Sequence, residues 1–237
     1  MAEQAEQLEA ALLRAADVIR AGGLVVYPTE TIYALGADAG NAEAVQRLLA
    51  AKGRDDGRGM SVLVADLEQA RYLLDTDPVD TDPVDTDPVG SDPVDTDPVG
   101  SDPVGSDPGP EAVELARRWW PGPLTLVLPA AAGLPRGLVG ETGGVGLRCS
   151  SDPVAAALLK AAGVALTATS ANPSSLEPAR TVQTAREYFG DSVACYLDDG
   201  PRMAESASTV VEFLDGRAYL RRSGSVDVTG TINVQGG

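Results

Sequence analysis

Residues 75–109 form a five-residue tandem repeat in seven copies, and this segment constrains the fold more than any other feature of the sequence. Its copies read DTDPV or GSDPV, and the last reads GSDPG. Proline in every copy removes a backbone donor and pushes the preceding aspartate toward extended geometry, while the aspartates repel one another. We therefore predict an inserted, solvated and disordered loop that contributes nothing to a core. The alternative, a weak divalent-cation tract, requires an extended chain to assemble about six oxygen ligands.

Charge and composition exclude several functional classes. The formal net charge is −17, but 11 of the acidic residues lie in the repeat. Histidine is absent, which rules out mechanisms that need an imidazole base and zinc sites that need an imidazole ligand. Two cysteines, Cys149 and Cys195, provide neither a disulfide framework nor a metal-knuckle spacing. Because the sequence shows neither a signal peptide nor an apolar stretch of about 20 residues, we expect a cytoplasmic protein that does not enter a membrane.

The remaining residues predict a single α/β domain, built from residues 1–74 and 110–226 and followed by a polar tail at 227–237 without regular structure. Helical periodicity and capping residues predict helices that end near Gly22 and Gly53, one that begins at Pro110, and others at 66–74, 152–162 and 181–189. Apolar runs predict strands at LVVY, MSVLV, LTLVLP, VGLRC, VALTAT, VACYL, STVVEF and AYLRR. Since strands and helices do not alternate strictly, we expect a mixed sheet with helices packed against it.

Four polar clusters lie at strand ends or turns, where binding residues tend to collect. Residues 28–33 (PTETIY) carry two threonine hydroxyls at alternate positions, which can face the same side. Residues 52–59 (KGRDDGRG) carry three cations on a glycine-rich loop, a pattern that suits a polyphosphate. The structural alternatives are a strand-to-helix cap for the first cluster and a solvated loop after a basic helix end for the second.

The other two clusters are richer in glycine and hydroxyl groups. Residues 140–148 (GETGGVGLR) match neither a dinucleotide-binding loop nor a P-loop, and their structural alternative is a hairpin turn. Residues 167–173 (TATSANP) present a Ser-x-Asn pair after an apolar strand, a pattern that suits phosphate and ribose oxygens but is also common in turns. Each cluster is ambiguous alone, so the prediction depends on their combination and order.

That combination resembles the YrdC family of threonylcarbamoyl-adenylate synthases. The matching segments occur in family order: GGLVVYPTETIYALGADA, KGR at 52–54, WWPGPLTLVLP, VGLRCSSDP, TSANPS, STVVEF and LRRSG. The resemblance implies a single YrdC-like domain with a twisted mixed sheet around a concave, positively lined cavity. It also implies nucleotidyl transfer, in which L-threonine, bicarbonate (or CO2) and ATP give threonylcarbamoyl-AMP and pyrophosphate. Mg2+ would arrive with ATP, and a separate transferase complex would use the product to modify tRNA.

The resemblance also assigns roles to individual residues. Lys52 and Arg54 would contact the phosphates during catalysis, and Thr31, Arg148 and Ser208 would bind L-threonine. ATP would be bound by the following residues: Lys52, Arg54, Arg58, Gly144, Ser170, Asn172, Pro178 and Arg222. No protein metal site is implied, because phosphate oxygens would hold the Mg2+.

The sequence departs from the family pattern at three places near these residues. Asp55 and Asp56 follow the Lys-x-Arg motif where the family commonly has proline and a polar residue, and they would partly neutralise the neighbouring cations. Leu63 stands at a position that is often histidine, and Ser223 stands where proline is usual. These differences lower the expected affinity for the substrates without touching Lys52 or Ser170.

Two other functions remain open from the sequence. A non-catalytic YrdC-like module could bind tRNA or double-stranded RNA on its concave face, although the residues outside the repeat are net acidic and show no basic stripe with interleaved aromatic residues. A YrdC-like domain also occurs within larger carbamoyl-transferring enzymes, whose additional catalytic domains have no counterpart in this sequence.

Deletion of residues 75–109 is expected to leave both the melting temperature and the threonine-dependent release of pyrophosphate nearly unchanged, because the repeat adds no apolar surface to a core. Differential scanning calorimetry and a coupled pyrophosphate assay on the deletion variant measure the two quantities. A large loss of either would show that the repeat is structural.

Overall fold

The computed structural model describes residues 2–53, 59–74, 108–204 and 207–236, with side chains described for residues 6–235 of these ranges. The repeat predicted to be a disordered loop lies outside them, apart from Pro108 and Gly109. Arg54 and Arg58, two of the predicted phosphate contacts, also lie outside the described residues.

Helices and strands interleave along the described chain. The helices are α1 (Ala2–Arg20), α2 (Ala42–Lys52), α3 (Leu67–Ala70), α4 (Pro110–Trp119), α5 (Pro153–Ala162) and α6 (Val182–Phe189). The strands are β1 (Val25–Pro28), β2 (Tyr33–Gly36), β3 (Ser61–Leu63), β4 (Leu124–Pro129), β5 (Gly144–Arg148), β6 (Leu166–Thr167), β7 (Thr169–Ser170), β8 (Cys195–Tyr196), β9 (Thr209–Leu214), β10 (Arg217–Arg222) and β11 (Val234–Gly236). Among these, no helix is long and apolar enough to cross a membrane.

The strands form two mixed sheets where the sequence predicted one. The smaller sheet has the order β7-β2-β1-β8, and the larger has the order β11-β10-β9-β4-β5-β3-β6. The chain passes between them at Ala168, whose amide donates to the Ser61 carbonyl at 2.7 Å. This residue divides the predicted strand VALTAT into β6 and β7, so a single apolar run serves both sheets. The mixed α/β class is confirmed, since both sheets contain parallel and antiparallel pairs.

Capping residues set the helix starts as the sequence predicts. The side chain of Asn41 accepts a hydrogen bond from the Ala44 amide at the start of α2. Asp152 accepts from two amides at the start of α5. Each of these bonds satisfies a backbone donor that has no partner within the helix. At its other end, α2 finishes with Lys52, directly before Gly53, whose backbone adopts the left-handed conformation.

The core consists of two groups of buried apolar side chains. The larger lies between the two sheets and includes Val26 and Leu35 from the smaller sheet and Leu126 and Val211 from the larger. The second joins α1 and α5, with Ile19 and Leu158 among its fully buried members. Burial of such side chains contributes about 1.5–3 kcal/mol each. The two sheets are thus fixed against each other around the space where the polar clusters meet.

The first polar cluster forms a β-hairpin, so its alternative as a strand-to-helix cap is wrong. Strand β2 pairs antiparallel with β1 from Val25–Gly36 to Pro28–Tyr33. Gly36 allows this pairing because a Cβ there would lie 2.5 Å from Cε1 of Tyr27. The Tyr27 hydroxyl donates to the Thr167 carbonyl at 2.9 Å, which ties the hairpin to β6.

The C-terminal segment differs from the predicted unstructured tail. Val228 is 1% exposed and Ile232 is 7% exposed, and β11 pairs parallel with β10. The physical reason is that apolar side chains spaced through a polar stretch can still cover the edge of a sheet. Thr209 of β9 holds the segment by donating to the Val226 carbonyl at 2.7 Å and accepting from the Val226 amide.

Replacing Ile232 with Ala is expected to lower the free energy of unfolding by about 2–4 kcal/mol, because the change leaves a cavity in a packed region. Urea denaturation followed by circular dichroism measures the change. Met203→Ala is the control, since Met203 is 78% exposed. Equal effects of the two substitutions would contradict the packing of this segment against the domain.

Candidate active site

A cavity of about 720 Å³ opens between the two sheets. Its walls come from the β1–β2 loop, from β3, β5 and β7, from the loop at 177–180, from α6, and from Ala204, Ala207 and Ser208. The structure brings the following predicted site residues to this wall: Thr31, Arg148, Ser170, Pro178, Ser208 and Arg222. Residues from five distant parts of the sequence therefore converge on one space.

The β1–β2 loop places Thr31 through a compact turn. The Thr29 hydroxyl donates to the Ile32 carbonyl at 2.7 Å and accepts from the amides of Thr31 and Ile32. The two threonine hydroxyl oxygens lie 3.2 Å apart, on the same side of the loop as their alternate spacing predicts. Both residues are buried yet line the cavity. The turn thus presents a fixed hydroxyl pair to any ligand in the cavity.

Arg148 ends β5 beside Leu63 of β3 and has only 9% of its surface exposed. Its Nη2 lies 2.8 Å from Oε1 of Glu30, which pairs the two charges. Among the described residues, neither Nε nor Nη2 finds an acceptor in hydrogen-bond geometry. A buried guanidinium donor without an acceptor is costly. The Glu30 carboxylate offsets this cost on the buried side of Arg148, and the residue also lines the cavity, where its positive charge can attract an anionic ligand.

Arg222 and Ser208 form a second polar group on the wall. The Arg222 Nε donates to the Ser208 carbonyl and its Nη2 donates to the Ser208 hydroxyl, both at 2.9 Å. The Ser208 hydroxyl also lies 3.2 Å from that of Thr125. Burial and then the positive charge of Arg148 lower the pKa of the Arg222 guanidinium. An anion bound between the two guanidiniums would relieve that repulsion.

Gly224 and Ser225 pack directly against the backbone around Ser208. A Cβ on Gly224 would lie 2.4 Å from the Ala207 carbonyl oxygen and 2.5 Å from the Thr209 amide nitrogen. The next residue, Ser225, donates to the same Ala207 carbonyl from its amide and its hydroxyl, each at 3.1 Å. Only glycine allows this close approach, so the end of the domain fixes one wall of the cavity.

Lys52 lies behind the cavity wall rather than on it. Its side chain is buried, and Nζ donates to the Ser170 carbonyl at 2.5 Å and to the Asn172 carbonyl at 2.8 Å. The Lys52 carbonyl in turn accepts from the Ser174 amide at 3.0 Å. Lys52, the last residue of α2, therefore holds the loop after β7 through its own side chain and its own backbone carbonyl.

Ser170 and Asn172 are linked within that loop. The Ser170 hydroxyl donates to the Asn172 Oδ1 at 2.5 Å, and the Asn172 amide group donates to the Leu176 carbonyl. Ser170 lines the cavity, whereas Asn172 is 7% exposed and closes the turn behind it. Of the predicted Ser-x-Asn pair, Ser170 therefore lies on the cavity wall and Asn172 supports it from behind.

Gly144, which the resemblance places at the ATP site, does not line the cavity either. It begins β5, and a Cβ there would lie 2.6 Å from Cγ1 of Val127 and 3.3 Å from the Leu128 carbonyl oxygen. This glycine is therefore needed for close packing of β5 against β4. The turn before it matches the predicted hairpin alternative, with Gly143 at a φ of 80° and its amide bonded to the Gly140 carbonyl.

Sequence reasoning missed two charged residues near the cavity. Arg180 lines it, and its Nη1 donates to the Ala204 carbonyl at 2.8 Å. Glu30 lies between the two threonines of the hairpin loop, but its partner Arg148 is 118 positions away, so no local pattern reveals the pair. Leu63, the departure from the family pattern, lines the cavity with an apolar surface.

The described residues contain no group of three or more acidic or cysteine side chains arranged to hold a metal ion. Within them, the carboxylate that lines the cavity is Glu177. The wall is otherwise supplied with guanidinium and hydroxyl groups, which bind anions.

The sequence model of the Sua5/YciO/YrdC family, described as telomere recombination, matches residues 17–85 and 102–224. The chain belongs to this family. A threonylcarbamoyl-AMP synthase of Halorhodospira halophila is 38% identical over 211 residues, which cover 88% of this chain and 92% of that relative. One of Marinobacter nauticus is 31% identical over 214 residues, covering 90% and 95% of the two chains.

A solved structure of Pyrococcus abyssi Sua5, complexed with L-threonine, superposes with a TM-score of 0.76 at 30% sequence identity. The alignment covers 96% of this chain but 59% of the Sua5 chain, so this chain spans well under two thirds of that protein. The YrdC-like fold is confirmed. Full-length relatives named as threonylcarbamoyl-AMP synthases support the nucleotidyltransferase function in tRNA modification over the RNA-binding alternative.

Replacing Lys52 with Ala is expected to lower the free energy of unfolding by about 3 kcal/mol, since the change leaves two buried carbonyls without their donor. We expect threonine-dependent turnover to fall about 10²-fold because the Ser170 loop loses its support. Denaturant titration and the pyrophosphate assay measure the two effects.

The matched control is Lys160→Ala, because Lys160 is the other lysine of the chain and lies exposed on α5. It should behave as wild type in both measurements. A Lys52→Ala variant with the stability and turnover of the Lys160→Ala variant would contradict the supporting role of Lys52.

Proposed function

We propose that this cavity joins L-threonine, bicarbonate and ATP to form threonylcarbamoyl-AMP. The amine of L-threonine first condenses with bicarbonate to give a carbamate and water, or adds to CO2 to give a carbamate and a proton. A carbamate oxygen then attacks the α-phosphorus of ATP, the bond from that phosphorus to the oxygen bridging the α- and β-phosphates breaks, and pyrophosphate leaves with that oxygen. The observation that carries the proposal is the convergence of Arg148, a buried cation, with Thr31 and Arg222 on the wall of one cavity.

L-threonine fits the end of the cavity formed by Arg148 and the hairpin loop. The Arg148 guanidinium can pair the α-carboxylate, and the Thr31 hydroxyl lies on the same wall. Ser208 adds a hydroxyl that Arg222 and Thr125 hold in place. The related Sua5 was solved with L-threonine bound, which supports the same class of ligand here.

ATP fits the opposite wall, which Ser170 and Pro178 line together with Arg180. Lys52 and Asn172 act from behind this wall by holding the Ser170 loop. We retain Arg54 and Arg58 as phosphate contacts on the family resemblance, and Arg222, which lines the cavity, as a further contact for ATP. A catalytic histidine is unnecessary, since the nucleophile comes from the substrate and the protein supplies alignment and charge.

Mg2+ fits this site as an ion carried on the phosphates of ATP. The described wall offers guanidinium and hydroxyl groups, while Glu177 is its exposed carboxylate. When bound, Mg2+ would offset the charge of the triphosphate and of the departing pyrophosphate. The residues of this chain would then orient the α-phosphate toward the carbamate.

The product requires a protein that consumes it, because an acyl adenylate hydrolyses readily in water. We propose that a tRNA threonylcarbamoyl-transferase complex accepts it in the cytoplasm. A direct contact with tRNA or double-stranded RNA is a separate proposal, and the net negative charge of the chain does not favour it.

The test is incubation of the purified chain with ATP, Mg2+, bicarbonate and L-threonine, with pyrophosphate and threonylcarbamoyl-AMP followed together. Both should form only when L-threonine is present. Absence of both products from a folded protein, at low and high salt, would contradict the proposal and direct attention to RNA binding.

Replacing Arg148 with Gln is expected to lower kcat/KM for L-threonine about 10²-fold, because one charge-assisted contact contributes about 1.5–3 kcal/mol. Initial rates at varied L-threonine and saturating ATP measure it. The control is Arg117→Gln, a change at an exposed arginine on α4. An unchanged kcat/KM in the Arg148→Gln variant would remove Arg148 from the threonine site.

A further inference from the structure

We propose that Glu30 is a positioning residue that acts through Arg148 to make the cavity selective for the carboxylate of L-threonine. The inference deepens the proposed function and depends on it. Glu30 does not line the cavity, but its carboxylate contacts the guanidinium of Arg148, which does.

The contacts of Glu30 fix it between two elements. One carboxylate oxygen, Oε1, faces Nη2 of Arg148 at 2.8 Å, and the other, Oε2, accepts from the Ser150 hydroxyl at 2.5 Å. The Ser150 oxygen also accepts from the Asp152 amide at 3.2 Å. Since Asp152 caps α5, the carboxylate is anchored to the start of a packed helix.

This anchoring restricts where Arg148 can point. The guanidinium is held at Nη2 by a carboxylate whose own side chain is only 17% exposed. A long arginine side chain loses much rotational freedom when one end is fixed in this way. Arg148 therefore loses its conformational entropy when the protein folds, and binding of L-threonine does not have to order it again.

Glu30 also balances charge at a wall with two neighbouring cations. Burial and then the positive charge of Arg148 lower the pKa of Arg222. Burial raises the pKa of the Glu30 carboxyl, but the Arg148 charge and the Ser150 hydrogen bond outweigh it, and the net pKa is lowered. An ionised carboxylate behind Arg148 lets both guanidiniums remain charged and close together. A carboxylate with a lowered pKa is a poor proton acceptor, which favours positioning over general-base catalysis.

The experiment compares Glu30→Gln with wild type in the full chain. The substitution keeps the size of the side chain and removes its charge. We expect KM for L-threonine to rise about tenfold, while KM for ATP and kcat at saturating L-threonine change less than about twofold. The control is Glu9→Gln, which removes an exposed charge on α1.

The second readout is discrimination between L-threonine and L-threoninamide, which lacks the carboxylate charge. Wild type should bind the acid much more tightly than the amide in calorimetric titrations. The ratio of the two dissociation constants, amide over acid, should fall about tenfold in Glu30→Gln, because a misplaced Arg148 no longer binds the carboxylate preferentially. A general loss of folding would lower the affinity for both ligands equally. The ratio of the two affinities therefore separates a positioning role from a merely structural one.

Should Glu30→Gln fail to fold, Ser150→Ala decides the question. This change removes the hydroxyl that holds Oε2 and leaves both charges in place. We expect a rise of about threefold in KM for L-threonine with KM for ATP unchanged.

The outcomes separate the two proposals. A wild type that neither binds L-threonine nor forms product overturns the proposed function. An active wild type, with unchanged threonine KM and an unchanged acid-to-amide ratio in the folded variant, overturns the positioning role of Glu30 alone.

Discussion

The Lys52 ammonium group is buried at the point where α2 meets the loop after β7, and oxygens of Ser170 and Asn172 surround it. A buried cation is tolerated only when hydrogen bonds replace its water, so this contact requires the loop to keep one conformation. The loop in turn carries Ser170 to the cavity and closes behind it through Asn172. The helix cap at Asn41 and the glycine at 53 matter for the site because they set where α2 begins and ends.

A second constraint is the charge on the opposite wall. Arg148 and Arg222 are close enough for the charge of one to lower the pKa of the other. The carboxylate of Glu30 lies behind one of them and offsets part of this repulsion. The wall therefore presents the positive charges of Arg148 and Arg222 to the cavity, while the negative charge of Glu30 lies behind it. Such a wall suits the carboxylate of L-threonine and the phosphates of ATP, and it needs no nucleophile of its own.

Local patterns account for most of the elements that could be predicted from the sequence. Caps at Asn41 and Asp152, the proline at 110 and apolar runs such as LTLVLP depend on neighbouring residues, and the structure confirms these elements. The hairpin at β2 was missed because its register depends on Gly36 meeting Tyr27. The C-terminal segment was missed because Val228 and Ile232 acquire their burial from a sheet edge that precedes them in the chain.

The site shows the same division between local and distant information. Ordered motifs identified Thr31, Arg148, Ser170, Pro178, Ser208 and Arg222 as neighbours of one cavity, and the structure places all of them on its wall. The motifs could not distinguish a residue on the wall from one behind it, so Lys52 and Asn172 were assigned contacts rather than support. Gly144 was placed at the ATP site, whereas its lack of a side chain serves the packing of β5. The Glu30–Arg148 pair joins positions 118 residues apart and became visible only in three dimensions.

The most direct test of the account is a crystal structure of this chain with L-threonine and a non-hydrolysable ATP analogue. The account predicts the threonine carboxylate on the Arg148 guanidinium beside Thr31, with the triphosphate along the wall that Ser170 lines. It also predicts that the amine of L-threonine faces the α-phosphate across a gap that a carbamate can fill. A triphosphate bound to Arg148, or an amino acid bound away from the hairpin loop, would contradict the central assignment.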